Sequence, residues 1–305
     1  MAIAGRLKTL DFSENYISST IPSDIVSVQF LSVLRLGSNA IYGTIPPQLL
    51  FLYELEDLNL TKNALTGAIL EEVSEYTTNF PYSAAKSSWS GLPVLQSLDL
   101  SHNGFTGTMA PSLLEGVDIK TLDLSNNAFS GSIPVQAAEN LRSLNYFKAN
   151  NNKFTGSFPW DIFSHFNLVH IEMSNNLLTS ALPINTGRST YTLEHFDFSN
   201  NRIQSTIPGT FGAFTNLKQL RLGDNDLRGT LPESLVNLKS LQVLDMSRNQ
   251  IGGQLSPLLG NCHNLAELYL HENQFSGSVP STLSELPLRK LPHKTLVSAC
   301  LAIYI

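Results

Sequence analysis

One frame, Leu-x-x-Leu-x-Leu-x-x-Asn-x-Leu-x-Gly-x-Leu-Pro, most complete at Leu217 to Pro232 (LKQLRLGDNDLRGTLP), limits what this chain can fold into. Its asparagine recurs at Asn15, Asn39, Asn63, Asn103, Asn127, Asn152, Asn176, Asn201, Asn225, Asn249 and Asn273. Successive steps are 24 or 25 residues, except one of 40 between Asn63 and Asn103. A fixed period in the twenties on a leucine frame specifies a solenoid, in which each coil packs only on its neighbours. The long step adds about 16 residues, an insertion at 73–91 between repeats three and four. Eleven repeats and a partial twelfth therefore form a single array over 1–291, followed by an apolar tail, 292–305, outside the frame.

Each position in the frame has a physical task. Leu217, Leu220 and Leu222 bracket a short strand that sends Leu220 and Leu222 inward and Gln219, Arg221 and Gly223 outward. Stacked coils then build a parallel sheet with one wet face. The asparagine turns the chain out of the strand, its amide both donating to and accepting from main-chain groups that the turn would bury unpaired. Further inward positions, such as Phe105 and Met109 or Phe154 and Phe158, fill the core behind the sheet. A glycine four places after the asparagine (Gly43, Gly67, Gly107, Gly131, Gly156, Gly229, Gly253, Gly277) marks a close backbone approach or an unusual φ. A proline seven places after it (Pro22, Pro46, Pro134, Pro159, Pro183, Pro208, Pro232, Pro280) directs the chain onto the outer side of the coil. In repeat six, Phe147 beside Ala149 keeps the core volume roughly level.

The L-x-G-x-I-P element after LxxLxLxxN resembles the plant-type leucine-rich repeats of receptor-like kinases, receptor-like proteins and polygalacturonase-inhibiting proteins. The resemblance covers Leu7 to about Leu291. It implies an α/β-type leucine-rich-repeat solenoid: a right-handed horseshoe with a parallel sheet on the concave face and a mostly irregular or 3-10 convex side. It also implies that the strand face binds a protein, peptide or glycan, at the cell surface or outside the cell. The family's flanking cysteine caps and a kinase are not found here.

Composition narrows the function classes. A net charge of -6 speaks against a nucleic-acid partner, which calls for a basic face. Two cysteines, Cys262 and Cys300, with no CxxC, suggest neither a disulfide scaffold nor a zinc site. Cys262 falls in an apolar slot of its repeat and is expected to be a buried, inert thiol. No apolar run reaches the roughly 18 residues that span a bilayer. MAIAGR is too short for a secretory signal, and the frame is already running at Leu7. Because solenoids need polar caps, a segment ahead of repeat one is expected. The tail TLVSACLAIYI either packs on the last coil, begins a membrane span or is mistranslated sequence at the end of a gene model. The insertion carries Tyr76, Phe80, Tyr82 and Trp89, either folded back on the convex side or serving as a recognition loop.

Motifs for chemistry are missing: there is no GxSxG, no GxxxxGK[ST], and no GxGxxG in a strand-to-helix setting. His271-Glu272 starts an HExxH, but Phe275 takes the fifth place. No enzyme activity, cofactor or metal is expected. Outward residues are best read across coils, since equivalent positions stand about 5 Å apart. Four places before each asparagine stand Asp11, Arg35, Asn59, Asp99, Asp123, Lys148, Glu172, Asp197, Arg221, Asp245 and Tyr269. Two places earlier, Tyr146, His170, His195 and Gln219 are successive. The candidate ligand-binding face is therefore Tyr146, Lys148, His170, Glu172, His195, Asp197, Gln219 and Arg221. Its two imidazoles and two carboxylates have the donor types of a transition-metal site, but open strand faces bring such neighbours together by chance. Contact with a macromolecule is the better use of them. Asn59-Leu60-Thr61 is the one N-x-[ST] sequon, and a glycan there would stand on the strand face. The leading reading is a receptor-like recognition module. The alternatives are an inhibitor of a secreted wall-degrading glycosidase and an intracellular interaction scaffold.

Overall fold

The computed structural model describes residues 6–69, 92–109, 117–136, 139, 141–164, 167–184 and 191–288. The aromatic insertion, Cys300 and the apolar tail lie outside the described residues. The chain divides into two compact units, Met1–Ile162 and Phe163–Ile305.

In the first unit, three-residue strands at Thr9–Asp11, Val33–Arg35, Asp57–Asn59, Ser97–Asp99, Thr121–Asp123 and Tyr146–Lys148 pair in parallel, each in register with the next coil. Strand pairing carries across the insertion without a slip, Leu58 opposite Leu98 and Asn59 opposite Asp99. The strand centres Leu34, Leu58, Leu98, Leu122 and Phe147 are buried, as are Leu60, Leu100, Leu124 and Ala149 just beyond the strands. Behind them Phe105, Phe129 and Phe154 form a ring column, with centroids 6.1 and 6.2 Å apart. One aromatic per coil thus fills the same slot in three successive coils.

The second unit repeats the plan with His170–Glu172, His195–Asp197, Gln219–Arg221, Val243–Asp245 and Glu267–Tyr269, all parallel. Its core holds a tighter aromatic cluster. Phe196 lies 6.1 Å from Phe163, 4.7 Å from Phe198 and 5.4 Å from Phe211. Cys262 is buried with Sγ 3.8 Å from the Leu235 carbonyl, and burial pushes its thiol pKa up, so it holds no thiolate at neutral pH.

The asparagines make the ladder that ties coil to coil. Asn249 Oδ1 accepts from the Leu227 N–H of the preceding coil, and its Nδ2 donates to the carbonyls of Leu222, Met246 and Ser247. Asn63 does the same in the first unit, accepting from Ile41 and donating to Leu36, Leu60 and Thr61. The residue before each ladder asparagine takes a left-handed conformation, φ 51 to 56°, even where it is Lys62, Arg248 or Glu272. The prolines stand at the entry to short 3-10 turns on the outer side: Pro22 before Ser23–Ser27, Pro46 before Pro47–Phe51, Pro208 before Gly209–Ala213 and Pro232 before Glu233–Asn237. Among the described residues, no helix is long and apolar enough to cross a membrane.

Beyond the expected sheet, each unit carries further parallel pairing just after the asparagine turn. Tyr42–Gly43, Ala64–Ala68 and Gly104–Thr106 form one such sheet in the first unit; Arg228–Thr230, Gln250–Gln254 and Gln274–Ser276 form one in the second. The recurrent glycines sit here. Gly253 has φ +84°, and a Cβ on it would stand 2.8 Å from Thr230 Cγ2, so both reasons for a glycine apply.

Coil spacing is also set by Gly212, in the turn Gly209–Ala213. A Cβ there would lie 2.3 Å from the Ser234 main-chain oxygen and 2.7 Å from Ser234 Cβ. Gly212→Ala is expected to cost about 2–3 kcal/mol, since backbone has to move. Gly209→Ala, whose Cβ would meet only Ser234 Oγ at 3.6 Å, is the matched control and should be neutral or slightly stabilising. Urea unfolding followed by circular dichroism checks the pair; equal effects would show that the close approach does not set the spacing.

Candidate ligand-binding face

The strand period of two points the first and third residue of each strand away from the core, and the structure places all eight candidate residues at those positions. They fall in two groups. Tyr146 and Lys148 belong to the first unit; His170, Glu172, His195, Asp197, Gln219 and Arg221 belong to the second.

Tyr146 and Lys148 line an open groove of about 630 Å³ on the first unit's strand face, together with Asp11, Arg35, Asp57, Asn59, Asp99 and Asp123. Arg35 spans it, Nη2 2.7 Å from Asp57 Oδ2 and Nη1 3.9 Å from Asp11 Oδ2. Asp99 and Asp123 are register neighbours, and Asp123 is in turn opposite Lys148. Burial raises the Asp123 pKa, against the hydrogen bonds from Ser125 that lower it.

The acidic column is only partly free for ligands. Asp123 Oδ1 accepts from Ser125 N–H at 2.9 Å and from its hydroxyl at 2.6 Å. Asp99 with Ser101, Asp197 with Ser199 and Asp245 with Ser247 repeat the arrangement. One oxygen of each aspartate therefore closes the strand end, a role that the spacing Asp-x-Ser signals but that a reading by columns passes over. Asn59 takes the same place, accepting from Thr61 N–H at 3.1 Å, while the Thr61 hydroxyl meets Ser101 Oγ at 2.7 Å. Ser101 Oγ already donates to Asp99, so Thr61 is the donor in that contact.

In the second unit, His170 and His195 are register partners whose rings stack at 4.5 Å with 21° between planes. His170 Nε2 is 2.6 Å from Glu172 Oε1; a carboxylate only accepts, so Nε2 carries the proton. Burial lowers the His195 pKa below the ordinary imidazole value of 6.5, and the charge of His170 adds to this. Burial also raises the Asp197 pKa. Arg221 stands opposite Asp197 in register, with its Nε 3.5 Å from Gln219 Oε1. Lys218 is paired with Glu194 at 2.7 Å. Val243, an outward strand position, is nevertheless buried between the coils of Gln219 and Glu267, so the column does not run open to its end. Among the described residues, no group of three or more His, Cys, Asp and Glu is gathered as for a metal ion.

Coils of 24 or 25 residues broken by one insertion, an asparagine ladder and a strand face of fixed polar side chains define a leucine-rich-repeat solenoid. Leucine-rich-repeat family models match residues 191–251, and also 6–28, 94–115, 118–138 and 264–286. The coils are leucine-rich repeats and resemble those of plant receptor ectodomains. Among solved structures it is similar to the plant peptide hormone receptor RGFR1 in complex with RGF2, at 29% identity and a TM-score of 0.75 over 92% of this chain and 46% of that one. It is similar to a TDR receptor at 30% identity and a TM-score of 0.77, covering 92% and 50% of the two chains. The Arabidopsis receptor kinase HAESA, solved with the peptide hormone IDA and the co-receptor SERK1, aligns at 25% identity and a TM-score of 0.75, covering 93% and 50%. The chain thus spans about half the length of these structures. No curated protein matches it.

Proposed function

We propose that this chain is a non-catalytic recognition module that binds an extended peptide or a segment of a protein on its strand faces, as part of a receptor-like ectodomain outside the cell. The observation that carries this reading is the fixed polar lining of the faces. Arg35, Asp99, Asp123, His170 and Asp197 are each held by a neighbouring side chain or strand-end hydroxyl before any ligand arrives. Side chains already ordered lose little entropy on binding, so contacts made there translate more fully into affinity. The peptide-hormone complexes of RGFR1 and HAESA support a peptide as the ligand class. Tyr146 and Lys148 serve the first unit's groove; Glu172, Asp197, Gln219 and Arg221 serve the second unit, beside the imidazole pair. A glycan on Asn59 would stand among Asp57, Asp99 and Arg35 and leave the second unit as the main surface.

Peptides selected by display against the folded chain test this. By calorimetry, a selected peptide should be weakened at least tenfold, about 1.4 kcal/mol, by Tyr146→Ala where it binds the first unit, or by Glu172→Ala or Arg221→Ala where it binds the second. Asp24→Ala, on the outer turn Ser23–Ser27, should leave affinity within about twofold. Loss of binding on the outer substitution, with none on the strand faces, contradicts the reading.

A further inference from the structure

Two cations on the second unit sit against carboxylates. Lys218 lies on Glu194, and Arg248 bridges Asp224 and Glu272 at 3.4 and 3.3 Å. The imidazole pair adds a different contact, because the ring stacked on His195 is another imidazole. We propose that the His170–His195 pair is a proton-operated element of the strand face: a ring stack that holds while His195 is neutral and opens when His195 takes up a proton on acidification. For its use in ligand control this rests on the reading of that face as a binding surface; for its chemistry it does not.

The surroundings of His195 resist a positive charge on its ring. On one side of His195 stand His170 and Glu172, and Glu172 already receives the His170 Nε2–H. A positive charge on His170 therefore has a carboxylate in contact. On the other side stand Gln219, which is neutral, and the cations Lys218 and Arg221. On its own strand, Glu194 is engaged by Lys218, and one oxygen of Asp197 is held by Ser199. A charge on His195 thus meets a stacked imidazole and a partly buried site with its nearest acids already committed. Among the charges around His195, Glu194 and Glu172 favour its protonation, while His170 and Lys218 oppose it; burial, the largest cause, also opposes it. Protonation of His195 sets a positive charge against the stacked His170 ring, with Lys218 and Arg221 nearby and the nearest acids committed, so the rings separate and the face gains positive charge.

The sign for stability follows from the same groups. The unfolded chain protonates His195 near its ordinary value of 6.5, whereas the folded chain does so only at lower pH. Stability contributed by the neutral ring is therefore complete above 6.5 and is lost as pH falls through the folded-state value.

NMR titration of the histidine ring protons in the full chain tests the proposal, using wild type, His170→Gln and His195→Gln, with His170→Asn as a second variant should the glutamine disturb folding. The expected result is a His195 midpoint below that of free imidazole in wild type, shifted upward when His170 is replaced. The thermal midpoint of wild type should also fall more between pH 7 and pH 5 than that of His195→Gln. A His195 midpoint at or above the free value, or one unmoved by either His170 substitution, overturns the switch. None of these readouts contains a ligand. Failure here leaves peptide binding standing, and failure of peptide binding leaves the switch standing.

Discussion

Asn249→Ala is expected to cost the second unit about 3–4 kcal/mol. Asn249 is 8% exposed, and its one amide serves four main-chain groups in two coils. Truncation leaves the buried Leu227 N–H without its acceptor, an unsatisfied donor costing about 1–3 kcal/mol, and removes three further hydrogen bonds worth about 0.5–1.5 kcal/mol each at most. Asn249→Asp separates the two halves of the function. It keeps an acceptor for Leu227 but turns an oxygen toward the carbonyls of Leu222, Met246 and Ser247, so it should not rescue. Denaturant midpoints of the three proteins check this; an aspartate as stable as wild type would mean that the donated bonds contribute nothing.

A second large effect is expected at Phe196, whose ring is fully buried among Phe163, Phe198 and Phe211. Phe196→Ala should cost about 3–5 kcal/mol, the transfer energy of the ring plus the cavity it leaves between coils that cannot collapse far. Phe196→Leu places at this position the side chain that Leu220 and Leu244 carry in the next two coils, and should cost no more than about 1.5 kcal/mol. Thermal unfolding of both variants measures the difference. Equal losses would show that ring packing, and not filled volume, is what the cluster requires.

Much of this architecture is legible in the residues, because a repeat converts a one-dimensional spacing into contacts between coils. The leucines at strand centres, the asparagine bonds, the positive φ at Gly253 and the buried thiol of Cys262 follow from the frame itself. The additional parallel pairing does not. Arg228–Thr230 is exposed along its whole length, so it has no alternation of apolar and polar residues to reveal a strand. The left-handed residue before each ladder asparagine left a partial trace: Asn126, Asn151, Asn175, Asn200 and Asp224 are residue types that tolerate it, while Lys62 and Arg248 conceal it. At the candidate face, the neighbourhood of His170 and His195 could be read from the period, but the ring stack and the bond to Glu172 depend on rotamers that the period does not specify. Asp197 enters the candidate face because its column is read across coils, a reading that does not show its bond to Ser199, two residues along the chain.

The most direct test of recognition on the strand faces is to locate a photo-crosslink. A display-selected peptide carrying a benzophenone is irradiated with the full chain, and the joined residue is identified by mass spectrometry. Crosslinks on the outward strand positions, such as Tyr146, Gln219 or Arg221, are expected. Crosslinks confined to the outer 3-10 turns, such as Ser23–Ser27 or Glu233–Asn237, would contradict the account.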